Sequence, residues 1–197
     1  MNPNESCLIE TVTTQAGYFT SRQARDCGYS WALLSHHAAT GRFVRARRGL
    51  YRLRDYPSST HEEVMAAWLA AGPGAVISHE SALAILGVGD TVPDRIHVTV
   101  PRSSRGSRRP RGVAVHTSEQ SLPPYDVVVR NGMRVTAPVR TIIDVTRAGL
   151  GPDLVSQAIN ELIDRGLATD DQVCTAANRQ GGRVSRTIRD LMAPDTG

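Results

Sequence analysis

The chain has 197 residues, 40% of them hydrophobic and 21% charged, with a formal net charge of +4. That length and apolar content suffice for a real core in one or two domains and argue against a disordered chain, while the positive balance points to an acidic partner such as nucleic acid. All 23 basic residues are arginine, so the phosphate lysine of a Walker A loop, the strand lysine of a protein kinase and the amine of Schiff-base chemistry are excluded in their usual forms.

The first residues, MNPNESCLIE, contain no basic stretch followed by an apolar one, so no secretory leader is expected. No apolar run approaches the ~18 residues of a membrane span, and a cytoplasmic protein without a membrane partner is expected. Residues 6–16 place Leu8, Ile9, Val12 and Ala16 at helical spacing, and Gly17 ends that helix as a C-cap glycine does. Thr20 with Gln23 three residues on forms a capping box for a second helix over 21–27. Ser30 caps a third, WALLSHHAAT, that runs to Gly41 and buries Leu33, Leu34 and Ala38. Trp31, Ser35, Thr40 and at least one of His36 and His37 then face outward. Two short helices joined by a glycine-containing turn are the helix-turn-helix pattern. Cys7, Cys27 and Cys174 form no CxxC pair and are odd in number, so buried free thiols are expected rather than a disulfide framework or a zinc site.

Next comes GRFVRARRGLYRL, residues 41–53, with five arginines among thirteen residues. With Arg48-Gly49 at a hairpin tip, Arg47 faces Leu50, Ala46 faces Tyr51, Arg45 faces Arg52 and Val44 faces Leu53. Val44, Ala46, Tyr51 and Leu53 then share an apolar face, and Arg45, Arg47, Leu50 and Arg52 a basic one. A three-residue loop with Gly49 in the left-handed region is the alternative register. Either way the segment reads as a DNA-binding wing. The expected DNA contacts are Ser21, Arg22, Ser30, Trp31, Ser35, His36, His37 and Thr40 of the helices, with Arg42, Arg45, Arg47, Arg48 and Arg52 on phosphates or an adjacent minor groove.

Residues 55–60, DYPSST, read as a linker, and Thr60 as the cap of a helix beginning HEEV. A short strand precedes a helix over 79–86 capped by Ser78. RIHVTVP, 95–101, and GVAVHTS, 112–118, are strands. Between them RSSRGSRRPRG carries five arginines and no acid. Arg102, Arg105, Arg108, Arg109 and Arg111 there are a possible second phosphate or partner contact. YDVVVRNGMRVT is a hairpin turning at Asn131-Gly132, Pro138 opens a helix, and helices follow over 152–165, 169–179 and 184–192. Ser78, His79, Glu80, Ser81, His97 and His116 read as caps and strand-face histidines rather than a catalytic set, and Arg140 as the i,i+4 ion-pair partner of Asp144. No catalytic residue, metal ligand or cofactor is assigned.

In chain order, GYFTSRQARDCGYS, GRFVRARRGLYRL, ISHESALAILGV, IHVTVPR and VTAPVRTIIDV resemble the AbiEi family of antitoxins from bacterial type IV toxin–antitoxin systems, over about residues 15–150. The resemblance implies an N-terminal winged helix that binds inverted repeats in double-stranded DNA at its own promoter. It also implies a C-terminal domain that counteracts, directly or indirectly, a cognate nucleotidyltransferase-like toxin, with no catalysis general to the family. Some long relatives end in a nuclease-like domain. The tail here has no acidic cluster with a lysine, so no nuclease is expected.

The expected architecture is α+β: a winged helix-turn-helix over 1–56, then over 57–197 an α+β domain with a small mostly antiparallel sheet and a helical C-terminus. The expected function is an antitoxin that represses its own operon. A winged-helix regulator unrelated to a toxin and, further off, an enzyme acting on the toxin or on nucleic acid stay open.

Overall fold

The computed structural model describes residues 3–104 and 112–193. The N-terminal unit runs α1 (Pro3–Thr13), β1 (Tyr18–Thr20), α2 (Ser21–Asp26), α3 (Trp31–Ala39), β2 (Phe43–Arg47) and β3 (Leu50–Leu53). Both expected caps form. Thr20 and Gln23 close a reciprocal capping box on α2, and Ser30 Oγ accepts the Leu33 amide at the start of α3, contacts of about 1 kcal/mol each. The strands make an antiparallel sheet in the order β1-β3-β2. β1 is absent from the sequence reading, since three residues are too few to show alternation. Against this sheet Leu8, Val12, Ala24 and Leu34 pack with Phe19 and Phe43, whose rings meet edge to face with centroids 4.9 Å apart. Ile9, expected inside, is exposed, and Ala16 lies past the end of α1 with φ +50°.

The wing departs from the first of the two expected registers, while Gly49 takes the left-handed conformation of the second, with φ +73°. Arg47 pairs with Leu50, but Arg45 then faces Tyr51, Val44 faces Arg52 and Phe43 faces Leu53, which leaves Ala46 as the extra residue of a bulge. The slip sends Phe43 into the core and leaves Val44 41% exposed. The physical reason is payload, because a buried phenyl ring removes more apolar surface from water than a valine does.

The second unit contains α4 (Glu62–Ala71), β4 (Val76–Ile77), α5 (His79–Leu86), β5 (Ile96–Pro101), β6 (Val113–Ser118), β7 (Val127–Arg130), β8 (Met133–Thr136), α6 (Pro138–Ala148), α7 (Pro152–Asp164), α8 (Asp170–Gln180) and α9 (Gly182–Met192). Its sheet has the order β6-β5-β4-β8-β7. β4–β5 and β7–β8 are antiparallel, whereas β4–β8 and β5–β6 are parallel. This sheet is therefore mixed, and the antiparallel majority holds only when the wing sheet is counted with it. α4 starts from His61 without a side-chain cap, so Thr60 does not cap it. Ser78 occupies the cap position of α5, but its hydroxyl serves another network. The C-terminal helices close on a core that includes Ile142, Ile159, Leu162, Val173 and Ile188.

The two units are fastened together rather than strung on a free linker. Tyr18 and Leu50 from the wing sheet share one core with Met65, Ile77, Val98 and Val135. The guanidinium of Arg52 turns inward, donating to the carbonyls of Tyr56 at 2.8 Å and Pro57 at 3.1 Å and pairing with Glu62 at 3.3 Å. Gly132 shows how close the hairpin tip comes. Its φ is +75°, and a Cβ there would collide with the Thr14 carbonyl oxygen, so only glycine fits. The sulfurs of Cys7 and Cys27 are bonded, tying α1 to the end of α2. The expectation of free thiols fails for that pair and holds for Cys174. The reason is tertiary: residues 20 apart in sequence bring their Cα atoms to 5.6 Å, a separation suited to a bridge.

Candidate functional site

The helix-turn-helix presents a polar surface. On α3 and its cap, Ser30, Trp31, Ser35, His36 and Thr40 are exposed, and on α2 Arg22 is exposed with Ser21 half-buried. Trp31, 58% exposed, is roofed by the Arg25 guanidinium, 5.4 Å from the ring centroid. Arg25 is a basic residue of this surface that the sequence reading missed. Its only signal was its place in the last turn of α2, six residues before Trp31. His37 is half-buried against Phe43 with ring centroids 4.9 Å apart. Burial, and then the Arg42 and His36 charges, hold it below the usual imidazole range.

The wing sorts its arginines into two kinds. Arg45 and Arg48 are exposed, Arg47 is half-buried, and among the described residues no ion pair involves these three or Arg22. The tip lies against α2, where the Ser21 amide donates to the Gly49 carbonyl at 2.8 Å. This brings Arg48, Ser21 and Arg22 into one neighbourhood. Arg42 and Arg52 are already occupied, Arg42 by Glu5 and Arg52 by Glu62 and two carbonyls. Of the arginine loop, Arg102 stands exposed in a short 3-10 turn, Arg102–Ser104. Arg105, Arg108, Arg109 and Arg111 lie outside the described residues.

A second polar centre lies inside the other unit. His97 and Thr99 of β5 and His116 of β6 share one sheet face, since His97 faces Ala114 and Thr99 faces His116 in the parallel ladder. His79, the first residue of α5, stacks on His116 with centroids 3.6 Å apart. Its φ of +55° is a left-handed conformation unusual for a residue with a side chain. His97 Nδ1 lies 3.1 Å from His116 Nε2, and His79 Nδ1 lies 2.9 Å from Ser78 Oγ, which accepts from Thr99 Oγ1 at 2.8 Å. Burial first, then His116 and His97, push the His79 imidazole down to about 3. His116 is lowered by burial and by His97.

His79, Thr99 and His116 border a cavity of about 550 Å³ that Arg140, Asp144 and Arg147 also line. Arg140 bridges Asp126 at 2.7 Å and Asp144 at 2.9 Å, so the expected i,i+4 pair is present within a larger network. Burial pushes the Asp144 carboxyl above its usual range against the pull of Arg140 and Arg147. Burial also opposes the Arg140 charge, but Asp144 and Asp126 outweigh it and hold the guanidinium above its usual range. The three histidines lie far apart in sequence, His79 at a helix start and His97 and His116 within strands, and no local signal in the sequence joins them.

The order helix, strand, helix, helix, hairpin and the basic, polar outer surface define a winged helix-turn-helix of the transcriptional-regulator class, joined to a mixed-sheet unit. Residues 8–54 match the family model described as transcriptional regulator, AbiEi antitoxin, and residues 71–193 match the model for the AbiEi antitoxin C-terminal domain. The chain belongs to the AbiEi antitoxin family. Among solved structures it is similar to the crystal structure of the RV2827C protein from Mycobacterium tuberculosis, with a TM-score of 0.57 and 16% identity over 98% of this chain and 77% of that one. That is a likeness of fold. No curated protein sequence matches the chain.

Proposed function

We propose that this antitoxin represses its own operon, with α3 in the major groove of promoter inverted repeats and the wing on the flanking backbone, and that its second unit counteracts a co-encoded nucleotidyltransferase-like toxin. The observation that carries the DNA half is that Arg22, Arg45 and Arg48 are exposed without an acidic partner among the described residues, beside the exposed polar face of the helix-turn-helix. An arginine already paired with a carboxylate gains little from a phosphate, whereas an unpaired one releases a counterion from DNA. Ser30, Trp31, Ser35 and His36 stand where base edges would be read, and Ser21, Arg22, Arg45, Arg47 and Arg48 where the backbone would pass. Arg42 and Arg52 act on the fold instead.

The test is binding of the full chain and of Arg22→Ala/Arg45→Ala/Arg48→Ala to the DNA upstream of its own gene across a salt series. The expected slope of log K against log salt shrinks by about 2 to 3 in the variant, at ~0.9 for each phosphate no longer neutralised. Unchanged affinity and slope in a folded variant reject the wing as a DNA contact. The antitoxin half is read by growth of cells expressing the adjacent toxin with and without this chain, and failure to restore growth rejects that half alone.

A further inference from the structure

The histidine centre of the second unit has no part in the DNA reading, and its construction calls for a ligand. One imidazole comes from each of three segments, His79 from α5, His97 from β5 and His116 from β6, and one nitrogen from each lies within 4.8 Å of the others. Among the described residues no carboxylate pairs with any of them. Three rings of one chemistry are gathered where apolar side chains would pack more cheaply, and they set three imidazole nitrogens close together. The backbone at His79 is held in a left-handed conformation that is strained for a residue with a side chain, with φ +55°. Strain of this kind persists where the surroundings impose it, which makes His79 a candidate for a functional role.

We propose that His79, His97 and His116 bind one divalent transition-metal ion of the zinc type, with a fourth position open to the cavity. At metal–nitrogen distances of about 2.0–2.1 Å, ligand nitrogens of a tetrahedral site stand roughly 3.3 Å apart. The 3.1 Å between His97 Nδ1 and His116 Nε2 is already close to that spacing. His79 has its supporting partner in place. With the Nδ1 proton donated to Ser78 Oγ, itself held by Thr99, Nε2 carries the free lone pair, which is how histidine ligands are commonly oriented. Metal entry exchanges the His97–His116 hydrogen bond and the His79–His116 stack for coordination by turning side chains. The donor set is all imidazole, which suits zinc, copper, nickel and iron and disfavours magnesium and calcium.

The experiment uses the full chain without an affinity tag, stripped of metal, titrated with zinc(II) by calorimetry and with cobalt(II) by visible absorption. The expected result is one equivalent per chain at micromolar or tighter affinity, a tetrahedral cobalt spectrum, and a Tm raised by about 5 °C at 100-fold excess over Kd. His97→Gln and His116→Gln are expected to weaken binding by at least ~100-fold and Ser78→Ala by about 10-fold, while His36→Gln/His37→Gln leaves it unchanged. Absence of uptake by the wild type, or uptake that survives in His97→Gln/His116→Gln, overturns the proposal. Should those variants fail to fold, diethyl pyrocarbonate labelling of the wild type decides. Zinc protects the partly exposed His97 and His116 together if the site exists, and failure to protect either one overturns it. None of these readouts depends on DNA binding, so the outcome is separate from the fate of the wing.

Discussion

On the winged unit, Arg22, Arg45 and Arg48 stand in solvent, spread over a surface and without an ion pair among the described residues. In the second unit, His79 and Asp144 are buried, and Arg140, Asp126, Ser78 and Thr99 connect to them through hydrogen bonds of 2.7–2.9 Å. The first arrangement keeps charge hydrated and free to meet an acidic partner. The second removes polar groups from water during folding and must satisfy them internally. Substitutions should therefore cost affinity in one region and stability in the other.

The largest stability effect is expected at Arg140. Its loss leaves the Asp144 carboxyl, 3% exposed, with only Arg147 at 3.6 Å. Arg140→Ala is expected to cost about 3 kcal/mol in urea unfolding of the full chain. If the variant still folds, the salt slope of DNA binding should match the wild type. A loss below ~1 kcal/mol would mean that this network does not hold the second unit together, and the contrast would fail there.

Reduction of the Cys7–Cys27 bond gives an effect of similar size in the other unit. Closing a loop of 20 residues contributes about 3 kcal/mol in the chain-entropy treatment. Addition of dithiothreitol is expected to lower the Tm by several degrees, and Cys7→Ser/Cys27→Ser to remove that sensitivity. Equal sensitivity in the double variant would place the effect outside this bridge.

Arg52 sharpens the comparison because it belongs to the basic wing by sequence and to the interior by structure. Arg52→Ala removes hydrogen bonds to Tyr56 and Pro57 and the pair with Glu62. It is expected to cost about 1–2 kcal/mol of stability and to leave the salt slope of DNA binding within ~0.3 of the wild type. A slope reduced by a full unit would restore Arg52 to the DNA-contacting set.

The helix-turn-helix was legible because its signals are local. Thr20 with Gln23, Ser30 before Trp31 and Gly49 at the wing tip each act within a few residues. Side-chain destinations were less legible. Whether Val44 or Phe43 turns inward depends on a bulge at Ala46, and whether Arg52 faces DNA or Glu62 depends on where α4 docks. Neither is written in the hairpin itself. The histidine centre was least legible, since a parallel ladder and a helix start bring together residues 79, 97 and 116. The same holds for Cys7 and Cys27, whose approach follows from how α1 packs against α2.

The smallest stability effect is expected at Trp31. An exposed tryptophan under an arginine normally contributes little to folding, and Trp31→Ala should change unfolding stability by no more than ~0.5 kcal/mol. Its position in the first turn of α3 gives it a different role if that helix enters the major groove, because a flat ring there contacts base edges or sugar without adding charge. The variant should then bind operator DNA about tenfold more weakly, with an unchanged salt slope and little change in non-specific binding. A wing arginine removed from the same protein should lower both kinds of binding and the slope together. The pair of variants thus separates sequence reading by α3 from phosphate contact by the wing within one surface. Parallel losses on operator and random DNA for Trp31→Ala would show that the helix does not read bases at that point.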